Sequence, residues 1–253
     1  MSKLSLNIIV ITALVVLMTA LTSCKSEANE NAKLLETIII NDSIIKFEYD
    51  NQNRIVKVVI DDELENIETV TMTLTYSGDK LTSIVWLPET NEFSINGNDI
   101  MFTGARQTED WKVNDAGLVI FRKIDDYSSV WESIYHYEDG NLKKQTYKYS
   151  YDSYISEVGY NVKYDYDEMN SPVSCNTPKW FLQYLISTDF TGKNNPVSNE
   201  YTSIYPVLAE EGDSDMSLRY FYEYDNDGFP ISRVTSSVSE ETSSITLIRY
   251  RGE

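Results

Sequence analysis

Period-two alternation of apolar and polar residues runs through most of this chain and limits the folds it can adopt. Between residues 70 and 76 every second residue is apolar, and threonine fills the places between. Residues 158–166 and 218–224 alternate in the same way, with tyrosine recurring on one face. A strand with one face in a core produces this pattern, because successive side chains point to opposite sides of a sheet. No convincing stretch of helical period follows residue 40, so the sequence predicts an all-β protein.

A recurring turn signal divides these strands into hairpins. It is an apolar residue followed four positions later by Asn or Gly. Seven turns can be aligned on their last apolar residue, and in six of them the fourth residue after it is Asn or Gly: Tyr49/Asn53, Tyr76/Lys80, Val113/Gly117, Tyr137/Asn141, Tyr166/Asn170, Phe190/Asn194 and Tyr224/Gly228. A three-residue hairpin loop that ends at positive φ favours these two residue types. At Lys80, the exception, we expect Gly78 to supply a different turn.

Three prolines mark where return strands begin. Pro172, Pro196 and Pro230 each stand two residues after the Asn or Gly, and proline is accepted at the first residue of a strand, where its missing N–H is harmless. Seven hairpins predict about 14 antiparallel strands in an up-and-down meander. Since a sheet wider than ~10 strands rarely stays open and flat, we expect a barrel-like or strongly coiled sheet.

The first 23 residues have the organisation of an export signal. Lys3 precedes a run over residues 8–21 that is apolar except for two threonines. The segment ends Leu21-Thr22-Ser23-Cys24, which resembles the lipobox of bacterial lipoproteins. That resemblance implies cleavage before Cys24, a diacylglycerol on its thiol and stable attachment to a membrane. An uncleaved transmembrane helix is the alternative, because the run approaches the ~20 residues needed to span a bilayer.

Three segments follow from these patterns. They are a signal peptide over residues 1–23, a polar lipidated tether over residues 24–36 and one β-meander domain over residues 37–253. Lys25 stands where an inner-membrane retention signal usually carries Asp, so we expect an outer-membrane lipoprotein of the cell envelope, on its periplasmic face or on the cell surface. The formal net charge of −19 repels phosphate backbones, so nucleic acid is excluded as a partner.

A membrane-spanning barrel is the alternative to a barrel-like sheet held by a lipid anchor. It requires an outward apolar band on nearly every strand. Lys46, Glu48, Lys163 and Asp165 instead place charged groups on the outer face. The sequence therefore favours the lipid-anchored domain.

Three hairpins share a tyrosine and aspartate motif, at residues 47–55, 137–142 and 222–228. They resemble the Y-x-Y-D-x-x-G-x-Φ hairpins of Bacteroidota lipoproteins grouped as a domain of unknown function, DUF4595-like, with a porin-like fold. They are also similar to the YD repeats of large secreted shell proteins. The resemblance implies an antiparallel β fold, but no activity and no functional residue.

Two sets of residues are candidates for binding. Trp86, Trp111, Trp131 and Trp180, together with 19 tyrosines, could form a platform that stacks on sugar rings. Core packing is the alternative for aromatic residues in strands. Asp225 and Asp227 are weak candidates for a calcium site, since they coincide with a turn in which Asp is common for backbone reasons. The sequence predicts no cofactor.

Signatures of catalysis are missing from the sequence: there is no G-x-S-x-G, H-E-x-x-H, Gly-rich phosphate loop or Cys/His cluster. Cys175 and His136 are expected to be structural, because strand alternation turns His136 away from its tyrosine neighbours. The chain is therefore expected to be a non-catalytic binding or docking module for a glycan or an envelope protein. A carbohydrate-binding or carbohydrate-active protein on the same scaffold is the alternative.

Overall fold

Sixteen antiparallel strands follow one another along the chain in this computed structural model. It describes residues 33–62, 68–88, 92–104, 107–126, 128–151, 154–173, 175–204, 217–238 and 243–252. The predicted signal peptide and Cys24 lie outside them. Within these residues no helix is long and apolar enough to cross a membrane.

Each strand pairs with its neighbours in sequence, except that β5 and β6 do not pair with each other. The strands are β1 (Leu35–Ile40), β2 (Ser43–Tyr49), β3 (Ile55–Asp62), β4 (Val70–Ser77), β5 (Lys80–Leu87), β6 (Glu92–Asn96), β7 (Asp99–Thr103), β8 (Gln107–Val113), β9 (Val119–Asp126), β10 (Ser129–Glu138), β11 (Asn141–Tyr151), β12 (Tyr154–Tyr166), β13 (Pro196–Ser203), β14 (Leu218–Tyr224), β15 (Pro230–Ser237) and β16 (Ser243–Tyr250). The first strand also pairs with the last, and β5 and β6 form the two free edges. The sheet is a nearly closed barrel, which confirms the predicted up-and-down meander with two more strands than the expected number.

Three turns at one end of the barrel share one hydrogen-bonding scheme. They span residues 50–54, 114–118 and 225–229. The Oδ1 atom of Asp225 accepts hydrogen bonds from the backbone N–H groups of Asp227 and Phe229, both at 2.9 Å. The Asp225 N–H in turn donates to the Phe229 carbonyl. Asp50 and Asn114 begin the other two turns and make equivalent bonds. An Asp that satisfies the loop backbone explains the aspartate of the motif at residues 47–55 and 222–228.

Positive φ occurs at the fourth residue of these turns, as predicted. The values are 58° at Asn53, 73° at Gly117 and 79° at Gly228. The turn before Lys80 does use Gly78, at 57°. The turn before Asn141 differs from the prediction, because Asp139 and Gly140 have the positive φ values and form a two-residue loop.

The two remaining predicted turns belong to one inserted segment. Asp167 begins a turn of the same kind, in which its Oδ1 accepts from the Met169 N–H. The closing residue, however, is Asn195, whose N–H donates to the same Oδ1 at 3.0 Å and whose carbonyl accepts from the Asp167 N–H. Residues 171–194, which we call the plug, are therefore inserted into a single hairpin turn.

The plug overturns three expectations from the sequence. The hairpin predicted at Phe190 and Asn194 is wrong, because this stretch contains helix α1 (Lys179–Leu185) and a short 3-10 helix (Thr188–Thr191). The expectation of no helix after residue 40 fails for the same reason. Pro172 lies in the plug, whereas Pro196 and Pro230 begin strands as predicted.

Helix α1 fills the end of the barrel at which the Asp turns lie. Phe181 and Leu182 are 0% and 1% exposed. The Gln183 side chain accepts a hydrogen bond from the Val119 N–H at 2.8 Å and donates to the Tyr137 hydroxyl at 2.7 Å. The helix is thus both packed into the core and hydrogen-bonded to two walls of the barrel.

The rest of the plug is fastened to the turns. Backbone N–H groups within it or beside it donate to carbonyls of three different turns: Asn176 to Asn53, Lys193 to Gly140 and Asn170 to Gly228. The Asn194 N–H also donates to the Asn141 side chain at 2.9 Å. The turns therefore form a ring that holds the plug in place.

Candidate ligand-binding site

Aromatic side chains line the end of the barrel opposite the plug. Five of them lie on the inner faces of four consecutive strands, β10 to β13, and we call them the aromatic mouth: Trp131, Tyr147, Tyr149, Tyr160 and Tyr201. Trp131 is the cross-strand partner of Tyr149, with ring centroids 4.1 Å apart. Tyr147 and Tyr160 are also cross-strand partners, at 5.2 Å. Strand alternation places them on the same side of the sheet as the buried Tyr135 and Val162.

Solvent reaches these rings although they face the barrel interior. Trp131 is 41% exposed, and the four tyrosines are half-buried. By contrast, Trp111 and Trp180 at the plug end are 4% and 5% exposed. Among the described residues, the plug therefore fills one end of the barrel, and the rings of the aromatic mouth at the other end are less buried than Trp111 and Trp180.

A buried ion pair lies on the inner wall beside the aromatic mouth. Glu109 is 1% exposed, and its carboxylate accepts hydrogen bonds from the Arg122 and Trp111 side chains, each at 2.8 Å. Gln107 donates to the second oxygen at 2.8 Å. Arg122 is the cross-strand partner of Ser133, two residues from Trp131. Because the donors occupy both oxygens, Glu109 is held as a structural anion.

The four predicted tryptophans do not share one surface. Trp180 belongs to helix α1, and Trp86 and Trp111 pack against the aromatic side chains of this helix. The Tyr184 ring centroid is 6.0 Å from that of Trp86 and 5.5 Å from that of Trp111, which is 6.4 Å from Trp180. Trp131 alone of the four is in the aromatic mouth. Stacking of any of them on a sugar ring stays a prediction. Of the four, Trp131 is the one whose ring is exposed enough for it.

The two candidate calcium ligands, Asp225 and Asp227, are close together but are bridged by a cation of the chain itself. The Lys33 ammonium lies 2.7 Å from Asp225 Oδ2 and 3.2 Å from Asp227 Oδ2. Burial acts to raise the pKa of Asp225, but hydrogen bonds from Lys33 and from the N–H groups of Phe229 and Asp227 leave that pKa below its usual value. Within the part of the chain that the structure describes, no group of three or more metal-ligating side chains comes together.

Cys175 and His136 lie on opposite sides of the barrel wall. Burial raises the pKa of the Cys175 thiol, which lies in the plug. His136 is exposed on the outer face of β10 and lies 3.3 Å from Glu138. Alternation does turn His136 away from Tyr135 and Tyr137, so the two residues form no catalytic pair.

Comparison with known proteins gives a likeness in fold alone. No family model matches the chain, and no curated protein matches it either. Among solved structures, the chain resembles a porin-like protein from Bacteroides vulgatus ATCC 8482 with 11% identity and a TM-score of 0.45, covering 87% of this chain and 100% of the other. A porin-like protein from Bacteroides uniformis ATCC 8492 shows 12% identity and a TM-score of 0.38, with 86% and 96% covered.

Sequence reasoning missed most of the aromatic mouth. It selected tryptophans by residue type, whereas four of the five mouth residues are tyrosines. The position of each ring along its strand could have identified them. Tyr147, Tyr149 and Tyr160 alternate onto the inner face of the sheet, and they lie away from the Asp turns. Adding the direction of each strand to the alternation would have brought these rings together.

Proposed function

We propose that the protein is an envelope-anchored lipoprotein whose barrel is a non-catalytic binding module. The anchor in this proposal is lipid on Cys24, supported by the export signal and by the Leu21-Thr22-Ser23-Cys24 motif. Lys25 favours the outer membrane. Kinship with the DUF4595-like lipoproteins is part of the same proposal and is supported by the hairpin motif.

The aromatic mouth is the proposed ligand-binding surface. The observation that carries this is partial exposure of inward-facing rings: a barrel built only to be stable would bury them, as the plug buries Trp111 and Trp180. Ligand sites are concave and lined mainly by apolar and aromatic side chains. A barrel end at which adjacent aromatic rings are partly exposed has that character.

Carbohydrate binding is the second candidate function. In it, a glycan is bound by the aromatic mouth and is not cleaved. Trp131 and Tyr149 lie on neighbouring strands with rings 4.1 Å apart, and Tyr147 and Tyr160 continue the series. A row of rings offers apolar faces to successive sugar units, with hydroxyl groups at the edges for hydrogen bonds. Catalysis would require in addition a carboxyl group with raised pKa beside an ionised partner.

A glycan-array assay on the purified lipidated chain in detergent tests this proposal, repeated with EDTA and with excess calcium. Saturable binding that is lost in Trp131→Ala is the expected result. Phe221→Ala is the matched control, because Phe221 is exposed to 58% but faces outward on β14. Sensitivity to EDTA would point to the Asp225 and Asp227 pair. Binding to no glycan would exclude the carbohydrate candidate, and equal loss in both variants would refute the aromatic mouth as the site.

A further inference from the structure

Six apolar side chains form a patch on the outside of the barrel, which we call the outer apolar face. It crosses five neighbouring strands and consists of Phe221 (β14), Val234 (β15), Ile245 and Leu247 (β16), Ile39 (β1) and Ile44 (β2). Val234 is the cross-strand partner of both Phe221 and Ile245. Ile39 is the partner of both Leu247 and Ile44. Phe221 and Ile245 are 58% and 55% exposed. Contiguous apolar surface of this kind marks a site of interaction.

The other side of the barrel has a different chemistry. Outward-facing positions on β10, β11 and β12 carry exposed charged or polar side chains, including Glu132, His136, Lys148 and Lys163. Among residues 129–150 and 159–166 of these three strands, Ile134 is the one exposed large apolar side chain that faces outward. The flank formed by β14, β15, β16, β1 and β2 is therefore more apolar than the β10–β12 flank, although exposed apolar side chains also occur at Val85, Leu87 and Met101 on β5 and β7.

The first described residues lie on the same flank of the barrel as the outer apolar face. The described chain begins at Lys33, just before β1, and Lys33 is fixed to the barrel by its ion pair with Asp225. Residues 25–32 separate it from Cys24. Even fully extended, this segment spans no more than about 30 Å. A lipid on Cys24 therefore keeps β1, which carries Ile39 at the centre of the outer apolar face, near the membrane.

Basic side chains border the outer apolar face. Arg219, Lys46 and Arg249 are exposed, and each lies two residues from a member of the face on its own strand, Phe221, Ile44 and Leu247 respectively. Glu223, two residues from Phe221, and Asp61, the cross-strand partner of Ile44, border the face as well. The Lys and Arg side chains of this border are suited to the boundary between acyl chains and phosphate headgroups.

We propose that the outer apolar face rests on the lipid surface of the membrane that holds the Cys24 acyl chains. This rests on the lipid anchor of the proposed function. Contact along one flank fixes the orientation of the barrel, so that the charged β10–β12 flank points away from the lipid.

Fluorescence quenching by brominated lipid tests the orientation. The full chain, with acylation verified by intact mass, is reconstituted in phosphatidylcholine vesicles with or without bromine on the upper acyl carbons. Phe221→Trp and Ile134→Trp add reporters at positions of equal exposure, 58% and 57%, on the two flanks. We expect bromine to reduce the fluorescence added by Phe221→Trp about twofold, since interfacial apolar groups reach the acyl boundary. The fluorescence added by Ile134→Trp should be equal in both vesicles.

Quenching of both reporters or of neither would overturn the proposal. Cross-linked dimers together with an unquenched Phe221→Trp reporter would overturn it in favour of a second copy of the chain on this face. An acylated chain with an unquenched reporter would refute the orientation and leave the anchor intact. A chain without the acyl mass would refute the anchor, and the orientation with it.

Discussion

Deleting residues 171–194 and joining Asn170 to Asn195 removes the plug but keeps the residues that form the turn into which it is inserted. The turn should survive, because Asp167 already bonds to Met169 and Asn195 as Asp225 bonds within its own turn. The core should not. The deletion removes five buried apolar side chains: Trp180, Phe181, Leu182, Ile186 and Phe190.

The expected loss approaches the whole stability of the domain. Burial of one large apolar side chain contributes about 1.5–3 kcal/mol, so five contribute on the order of 10 kcal/mol. Folded domains are stable by only ~5–15 kcal/mol. We therefore expect the deletion variant to retain strand content in far-ultraviolet circular dichroism but to lose its cooperative unfolding transition and to bind a hydrophobic dye.

Phe181→Ala is the graded control for this deletion. It keeps the plug and removes one fully buried ring, which should cost about 3–5 kcal/mol while unfolding in urea remains cooperative. The reasoning would be refuted by a deletion variant that unfolds cooperatively within a few degrees of the wild type. In that case the plug would be an accessory to the fold.

Three further predictions concern charge and packing around the barrel. The pKa of Asp225 is lowered in the folded state, so its ionised form stabilises the protein above the unfolded pKa of about 3.9, and this is lost as pH falls through the folded value. The difference in melting temperature between wild type and Asp225→Asn should therefore shrink on acidification. Arg122→Met should lower the free energy of unfolding in urea by about 3 kcal/mol, because it leaves the buried Glu109 carboxylate without its cation. The double variant Arg122→Met/Glu109→Gln should regain part of this stability. A Cβ at Gly192 would lie 2.9 Å from Oδ1 of Asn141, the atom that accepts the hydrogen bond from the Asn194 N–H of the plug. Gly192→Ala should therefore loosen the plug and speed hydrogen exchange of the backbone amides in helix α1. Gly78→Ala, which has open space but positive φ, should cost ~1–2 kcal/mol without that effect.

Local pattern was sufficient to predict the strands, because alternation and turn chemistry act over a few residues. In the turns at 50–54, 114–118 and 225–229, the Asp or Asn side chain accepts hydrogen bonds from backbone N–H groups of the same turn. Each of these turns therefore depends on five consecutive residues and can be predicted from them. Pairing of β1 with β16 is not local in this sense. The near-closure of the sheet into a barrel was predicted only from the number of strands, because a sheet of that width rarely stays flat.

The plug escaped prediction for two physical reasons. Helix α1 is short and apolar on nearly every side, since it is enclosed by the barrel, and a helix without a polar face shows no helical period. The turn rule was also satisfied by chance at Phe190 and Asn194. What identifies the insertion is the pairing of Asp167 with Asn195, which depends on contacts between distant parts of the chain. The aromatic mouth was only partly predicted, through Trp131, because its tyrosines are brought together by strand direction.

Hydroxyl-radical footprinting with mass spectrometry on the native lipidated chain tests the central claim most directly, that the barrel is filled at one end and open at its aromatic end. We predict fast oxidation of Trp131 and Tyr149, slow oxidation of Trp111 and Trp180, and protection of Trp131 when a glycan is bound. Oxidation of Trp180 as fast as that of Trp131, or a Trp131 that is protected without ligand, would contradict it.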